Sequence, residues 1–206
     1  MGPIQSAMNQ AVQTGAAAAT MTTHFGEQLA QKQIQKAEQR EALSSEAFNL
    51  SKQSTTEAMQ ESAYKRGAAG MEATSEFKKT EASKVNVSNR DDKGKFRSKE
   101  AQEQAKEVQK NLLADSRIAK EAQYRYAEQA EFYKAQRQYT LMRQNALKEK
   151  KDAILNSGLY NPLERAEFNN QFTDMEISGI DAGFSDPQTK KQIKNFEIEA
   201  KNRLKK

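Results

Sequence analysis

The sequence predicts an all-α protein of long, elongated helices, a hairpin or a rod followed by short C-terminal helices, assembling as an oligomer. Three observations carry that expectation. Proline occurs only three times in 206 residues, while the good helix formers Ala, Gln, Glu and Lys are abundant. The stretch from Ser98 to Ser157 contains neither Pro nor Gly. The hydrophobic fraction is 36%, below the roughly 45–50% of ordinary globular domains on a scale that also counts Gly, and mean hydropathy is −0.98. So few large apolar residues argue against a thick core and for extended helices that bury their faces against one another.

Residues 1–26 contain no Asp, Glu, Lys or Arg, although 30% of the chain is charged. A secretory signal needs basic residues ahead of a strongly apolar run, and a spanning helix needs about 20 predominantly apolar residues. Here no Lys or Arg precedes the apolar part, and Gln5, Asn9, Gln10, Gln13 and Thr14 interrupt it. The segment is a poor signal and a poor permanent span. Its small residues, Ala7, Ala11, Gly15 and Ala16–Ala19, suit close approach of helices in water or in lipid. A disordered arm is the plain alternative.

Residues 27–84 read as a first helical region. Its sparse apolar points, among them Leu29, Ile34, Phe48, Met59, Met71 and Phe77, match the i, i+3, i+4, i+7 template only in part. Ser44-Ser45 and Ser54-Thr55-Thr56 are weak helix formers, and Gly67 and Gly70 each cost about 1 kcal/mol relative to Ala. The region is therefore expected to divide into two or three shorter helices.

Residues 85–98 form a basic connector. Asn89, Asp91, Asp92 and Gly94 are turn formers, and Asp92-Lys93-Gly94 is placed to reverse the chain. Arg90, Lys93, Lys95, Arg97 and Lys99 crowd around it and are the candidate nucleic-acid contacts. A solvated connector is the simpler reading, because Phe96 alone supplies an aromatic platform. The whole net charge of +5 comes from residues 85–150, which hold fifteen basic and ten acidic side chains.

Residues 99–157 predict one long helix. Ser98 caps it, Glu100 suits its first turn, and Gly158 stops it. At 1.5 Å per residue it spans roughly 87 Å. Ala101, Ala105, Val108 and Leu112 begin a seam of 4-3-4 spacing that Ala119, Ala122, Tyr126 and Tyr133 extend, while Asp115 and Gln129 interrupt it. Tyr126, Phe132, Tyr133, Tyr139 and Arg137 form a candidate interface, since Tyr and Arg are common interface anchors. Stacking of these groups on single-stranded bases is the rival reading.

Residues 158–206 predict short helices and a basic C-terminus. Asn161-Pro162-Leu163-Glu164 has the pattern of a capping box with proline in the first turn, opening a helix to about Phe172. MEISGIDAGFSD reads as a loop. Asp186-Pro187 opens a last helix with Ile193, Phe196, Ala200 and Leu204 on one stripe.

Chemistry finds few components. There is no Cys, which excludes disulfides, thiolate chemistry and Cys-based zinc sites. The only His is His24, so no second His completes a triad or a metal site. Asp174, Glu176 and Asp181 lack the spacing of a calcium loop. The chain is expected to be no enzyme, to take no cofactor or metal, and to act by assembly.

The charge-free start leading into AAAATMTTHFGEQLAQKQIQKAEQREALSSEAFNLSKQ, followed by Gln/Ala/Glu/Lys helices without Cys or Trp, resembles the small internal virion (ejection) proteins of short-tailed bacteriophages. It is also similar, more weakly, to the DNA pilot proteins of microviruses. The likeness is one of composition and architecture over most of the chain, and no functional residue is carried over from it. The resemblance implies storage in the capsid near the portal, passage through the tail, and assembly in the host envelope into a conduit for DNA. The implied partners are further copies of the chain, portal and internal-core proteins, phage DNA, and the host membrane through residues 1–26. A portal-associated or scaffolding-type virion protein without a membrane role, and a helical nucleic-acid-binding module, are the two rival readings.

Overall fold

A computed structural model describes the backbone of residues 3–204 and the side chains of residues 25–203. Four helices follow in order: α1 (Pro3–Lys84), α2 (Lys99–Asn156), α3 (Pro162–Ser185) and α4 (Pro187–Leu204). Among the described residues there is no strand, only an isolated antiparallel bridge between Arg90 and Phe96. The all-α class is as the sequence predicts.

The long helices form a hairpin. Lys78 pairs with Asp115 at 3.0 Å near the connector, and Arg143 reaches Glu46 at 3.4 Å toward the other end, so α2 returns along α1. α3 then turns back and runs parallel to α1: Lys36 meets Glu164 at 2.9 Å, and Lys52 meets Asp186 at 3.1 Å. α4 continues in the same direction, with Arg66 lying 3.5 Å from Glu197. The third track of the bundle is thus two helices laid end to end, bent at Asp186-Pro187.

The caps follow the sequence. The Ser98 hydroxyl accepts from Ala101 N, and Asn161 and Glu164 close a reciprocal capping box. Asp186 opens α4, its Oδ2 accepting the backbone N–H and the hydroxyl of Thr189, both at 2.9 Å. The Thr189 backbone bond, the Thr189 hydroxyl and the nearby Lys52 ammonium hold the Asp186 carboxyl at about 2, against an ordinary 3.8. A carboxyl depressed by folding stabilises the fold above its unfolded value and loses that contribution as pH falls. We therefore expect the Asp186 contribution to be complete above pH 3.8 and to disappear on acidification towards about 2. Asp186→Asn, which keeps an acceptor for the cap, should flatten that part of an acid-unfolding profile followed by circular dichroism.

Two expectations are overturned. Residues 27–84 do not divide: α1 is one helix of 82 residues. Its central part lies between α2 on one side and α3 and α4 on the other, so tertiary packing outweighs the weak local propensity. Gly67 has a packing reason, because a Cβ there would run into the Phe196 ring. Gly70 has none, with nothing within 4 Å of an added Cβ. Gly70→Ala should therefore raise stability by about 0.5–1 kcal/mol. Gly67→Ala should lower it by about 1–3 kcal/mol. Urea unfolding of the two single variants checks the opposite signs.

The second correction concerns MEISGIDAGFSD, which is helix and not loop. α3 runs through it to Ser185, well past Phe172. Gly179 and Gly183 sit one turn apart on the face that meets α1. They let two backbones approach as side chains would not. The core beside this contact gathers Leu43, Leu50, Leu147, Phe168 and Phe172, with Phe168 fully buried. A second cluster joins Ala63, Met71, Ala122, Tyr126, Phe196 and Ala200.

Candidate functional site

The seam of α2 is regular in position and irregular in chemistry. Ala105, Gln109, Leu112, Ser116, Ala119 and Gln123 begin an alternation of four- and three-residue steps, every member buried or half-buried, that ends at Ile154. Gln109, Ser116, Gln123, Arg137, Thr140, Gln144 and Lys151 are its polar members. Val108 is not part of it: this residue is 51% exposed, and Gln109 takes the place, donating to the Ala82 carbonyl at 3.1 Å. Asp115 does not break the register but flanks the seam, paired with Lys78. The facing helix matches this chemistry, with Ser75 and Ser116 hydrogen-bonded side chain to side chain at 3.1 Å.

In the middle of the bundle lies a charged layer. Glu57 and Glu61 are each only 5% exposed, one helical turn apart on α1. Arg137 Nη1 approaches Glu61 Oε2 at 3.4 Å, and Lys65 Nζ donates to Glu61 Oε1 at 2.6 Å. Gln53 donates to Glu57 Oε1 at 2.8 Å, while Glu57 Oε2 is buried without a protein partner. Sequence reasoning missed these glutamates, because a Glu on a helix reads as a solvated face. The available signal was their place on the same 4-3 alternation as Tyr64, Met71 and Ser75.

The candidate interface residues divide. Tyr126 is buried against Phe196 at 4.8 Å between ring centroids, and Tyr133 stacks on Tyr64 at 5.6 Å. Arg137 belongs to the charged layer. These three face inward, so part of the predicted interface is the intramolecular contact of α2 with α1 and α4. Burial pushes the Tyr64 and Tyr126 phenols above their ordinary value. Phe132 and Tyr139 point outward, 52% and 64% exposed.

The connector is an ordered, basic tip. Asp91 Oδ1 accepts from the backbone N–H groups of Lys93 and Lys95, and Gly94 takes φ +77°. The turn therefore falls where the sequence places it. Asp92 accepts from Asn86, and Arg97 donates to the Asn86 carbonyl, so both tip acids and one arginine are spent on the frame. The Arg90 guanidinium lies over the exposed Phe96 ring at 4.5 Å. Lys93, Lys95 and Lys99 are exposed. The Asp174, Glu176 and Asp181 group lies on α3, where Glu176 pairs with Lys148 at 3.0 Å.

Among the described residues, no three His, Asp or Glu side chains gather as a metal site, and no helix is long and apolar enough to cross a membrane. His24 and the side chains expected to carry membrane contact in residues 1–24 lie outside the described side chains. Comparison with protein-family models, curated proteins and solved structures found no match.

Proposed function

We propose that this chain is a bacteriophage virion structural protein, an internal or ejection protein. In this reading it self-associates into part of a DNA conduit and meets the host envelope through residues 1–26. The observation that carries the reading is α1. Its 82 residues correspond to roughly 123 Å at 1.5 Å per residue. It runs past the bundle at its N-terminal end, where residues 25–35 are all exposed. No Asp, Glu, Lys or Arg precedes Glu27. A helix that leaves its bundle at residues 25–35 and is continuous with an uncharged start suits a partner other than water.

The seam chemistry supports the same reading. Burial of apolar area stabilises by roughly 25 cal/mol per Å², so Ala, Ser and Gln contacts hold helices less firmly than Leu contacts. Such a bundle is cheap to open and re-form, and no disulfide blocks it. The test is reconstitution with lipid vesicles. Leakage that requires residues 1–26 supports the proposal. Assembly into rings without lipid binding favours the portal-associated or scaffolding reading instead.

The exposed lysines at the tip favour a nucleic-acid contact as a second reading. If Arg90, Lys93, Lys95 and Lys99 bind phosphates, DNA affinity should fall steeply with salt. Each of these cations removed should flatten the plot of log affinity against log salt by about 0.9 on duplex DNA. A slope that Ala substitutions at these four positions leave unchanged refutes phosphate binding at the tip.

A further inference from the structure

We infer that the outward face of α2, from Arg125 to Glu149, pairs antiparallel with the same face of a second copy of this chain, about a two-fold axis level with Arg137. The inference rests on the self-association in the function proposed above and names the surface that makes it.

α2 carries a second seam, on the side turned away from α1. Phe132, Ala135, Tyr139, Met142 and Ala146 follow one another in alternating steps of three and four residues, the same alternation as the inner seam. All five are exposed, Met142 to 69%. α3 and α4 pack chiefly against α1 and leave this face uncovered. A single apolar side chain on a surface is ordinary. Five in heptad order on one face are the pattern of a helix that pairs with another.

The face complements itself when turned about that axis. Positions equally far on either side of Arg137 then share a layer. Phe132 meets Met142, and Ala135 meets Tyr139, a small side chain against a large one. At each end Arg125 meets Glu149, and Glu128 meets Ala146, whose small side chain leaves the carboxylate in water. Arg125 and Glu149 are exposed and make no ion pair among the described residues. Their neighbours Glu131 and Arg143 are already paired within the chain, with Lys134 and Glu46. The remaining flanking positions, Gln129, Gln136, Gln138 and Asn145, give the apolar stripe a neutral polar rim.

Charge and register disfavour the other ways of joining these faces. Parallel copies in register would set Arg125 against Arg125, Glu128 against Glu128 and Glu149 against Glu149, and like charges facing across a contact oppose it. Sliding the antiparallel pair by one heptad would press Phe132 onto Glu149 in one direction and Tyr139 onto Glu128 in the other. The contact uses one surface twice, so it closes as a dimer. It sets the exposed residues 25–35 of the two copies at opposite ends, and so belongs to the protein before copies gather at one membrane.

The absence of cysteine makes the test direct. Full-length Arg125→Cys and Glu149→Cys variants are mixed and oxidised, and the linked species are identified by mass spectrometry. Disulfides between position 125 and position 149 should dominate over like-with-like pairs. Tyr139→Glu combined with Met142→Glu should abolish the dimer in sedimentation velocity and leave the helical circular dichroism spectrum unchanged, because both side chains are exposed. Arg125→Glu should weaken dimerisation about tenfold, since the two-fold axis counts each substitution twice, and adding Glu149→Arg should restore it. Dominant 125-to-125 and 149-to-149 links, or an assembly indifferent to the Tyr139 and Met142 substitutions, overturn this contact and leave self-association standing. A chain that stays monomeric at high concentration overturns both. Substitutions at Tyr139 and Met142 that abolish vesicle binding but not assembly make a membrane the occupant of this face and also overturn the contact.

Discussion

Gly179→Ala is expected to destabilise the chain by about 3 kcal/mol, the upper end of the usual cost of overpacking. The reason is what the new methyl group meets. An added Cβ at Gly179 would collide with the Phe48 carbonyl oxygen and with Ser51 Cβ, and one at Gly183 would collide with Thr55 and the Lys52 carbonyl. A rotating side chain can make room, but a helix backbone cannot without moving the whole helix. Pushing α3 away from α1 also loosens Phe168 and Phe172 from Leu43 and Leu50. The glycines share one contact, so the double variant should lose less than the sum of the singles. Urea unfolding followed by circular dichroism measures this, with Gly70→Ala as the contrasting helix glycine. An unchanged midpoint in Gly179→Ala would mean that α3 does not approach α1 as described.

Arg137→Met should cost about 2 kcal/mol, below the 3–5 kcal/mol typical of breaking a fully buried pair. The discount reflects exposure: the Arg137 side chain is 37% accessible, whereas that of Glu61 is 7% accessible. Removing Arg137 leaves Glu61 with Lys65 as its remaining cation, beside a Glu57 whose Oε2 has no protein partner. Replacing both members should behave differently. The Glu61→Met, Arg137→Met double variant removes the charge and its counter-charge together and should regain the loss or exceed the parent. A double-mutant cycle in urea reads the coupling. Additive losses would show that the charged layer is no unit. If the double variant regains the loss, the value of the layer lies in register: a charged layer at one level penalises any slip of α2 along α1.

Much of this architecture was legible because caps are local. Ser98, Asn161 and Asp186 satisfy N–H groups within three residues of themselves, so their sequence patterns and their structures coincide. The turn at Asp91–Gly94 was legible for the same reason. What stayed hidden depends on partners distant in sequence. Gly67, Gly179 and Gly183 read as helix breakers until the opposing Phe196, Phe48 and Thr55 are in place. The α2 seam was blurred because its positions are filled by Gln, Ser, Thr, Lys and Arg as readily as by Leu. A search for apolar periodicity therefore shifted to Val108 where the helix uses Gln109. The inward half of the tyrosine cluster reads as an intermolecular surface for a similar reason, since sequence does not say which copy supplies the opposite face.

The charge-free helix connects the fold to the proposed role, and the most direct measurement of that role is made on the particle. Quantitative mass spectrometry of purified particles, before and after DNA release, reports where the chain goes. An ejection protein is expected in the full particle and missing from the emptied one. A chain retained in full in the emptied particle would contradict the ejection role.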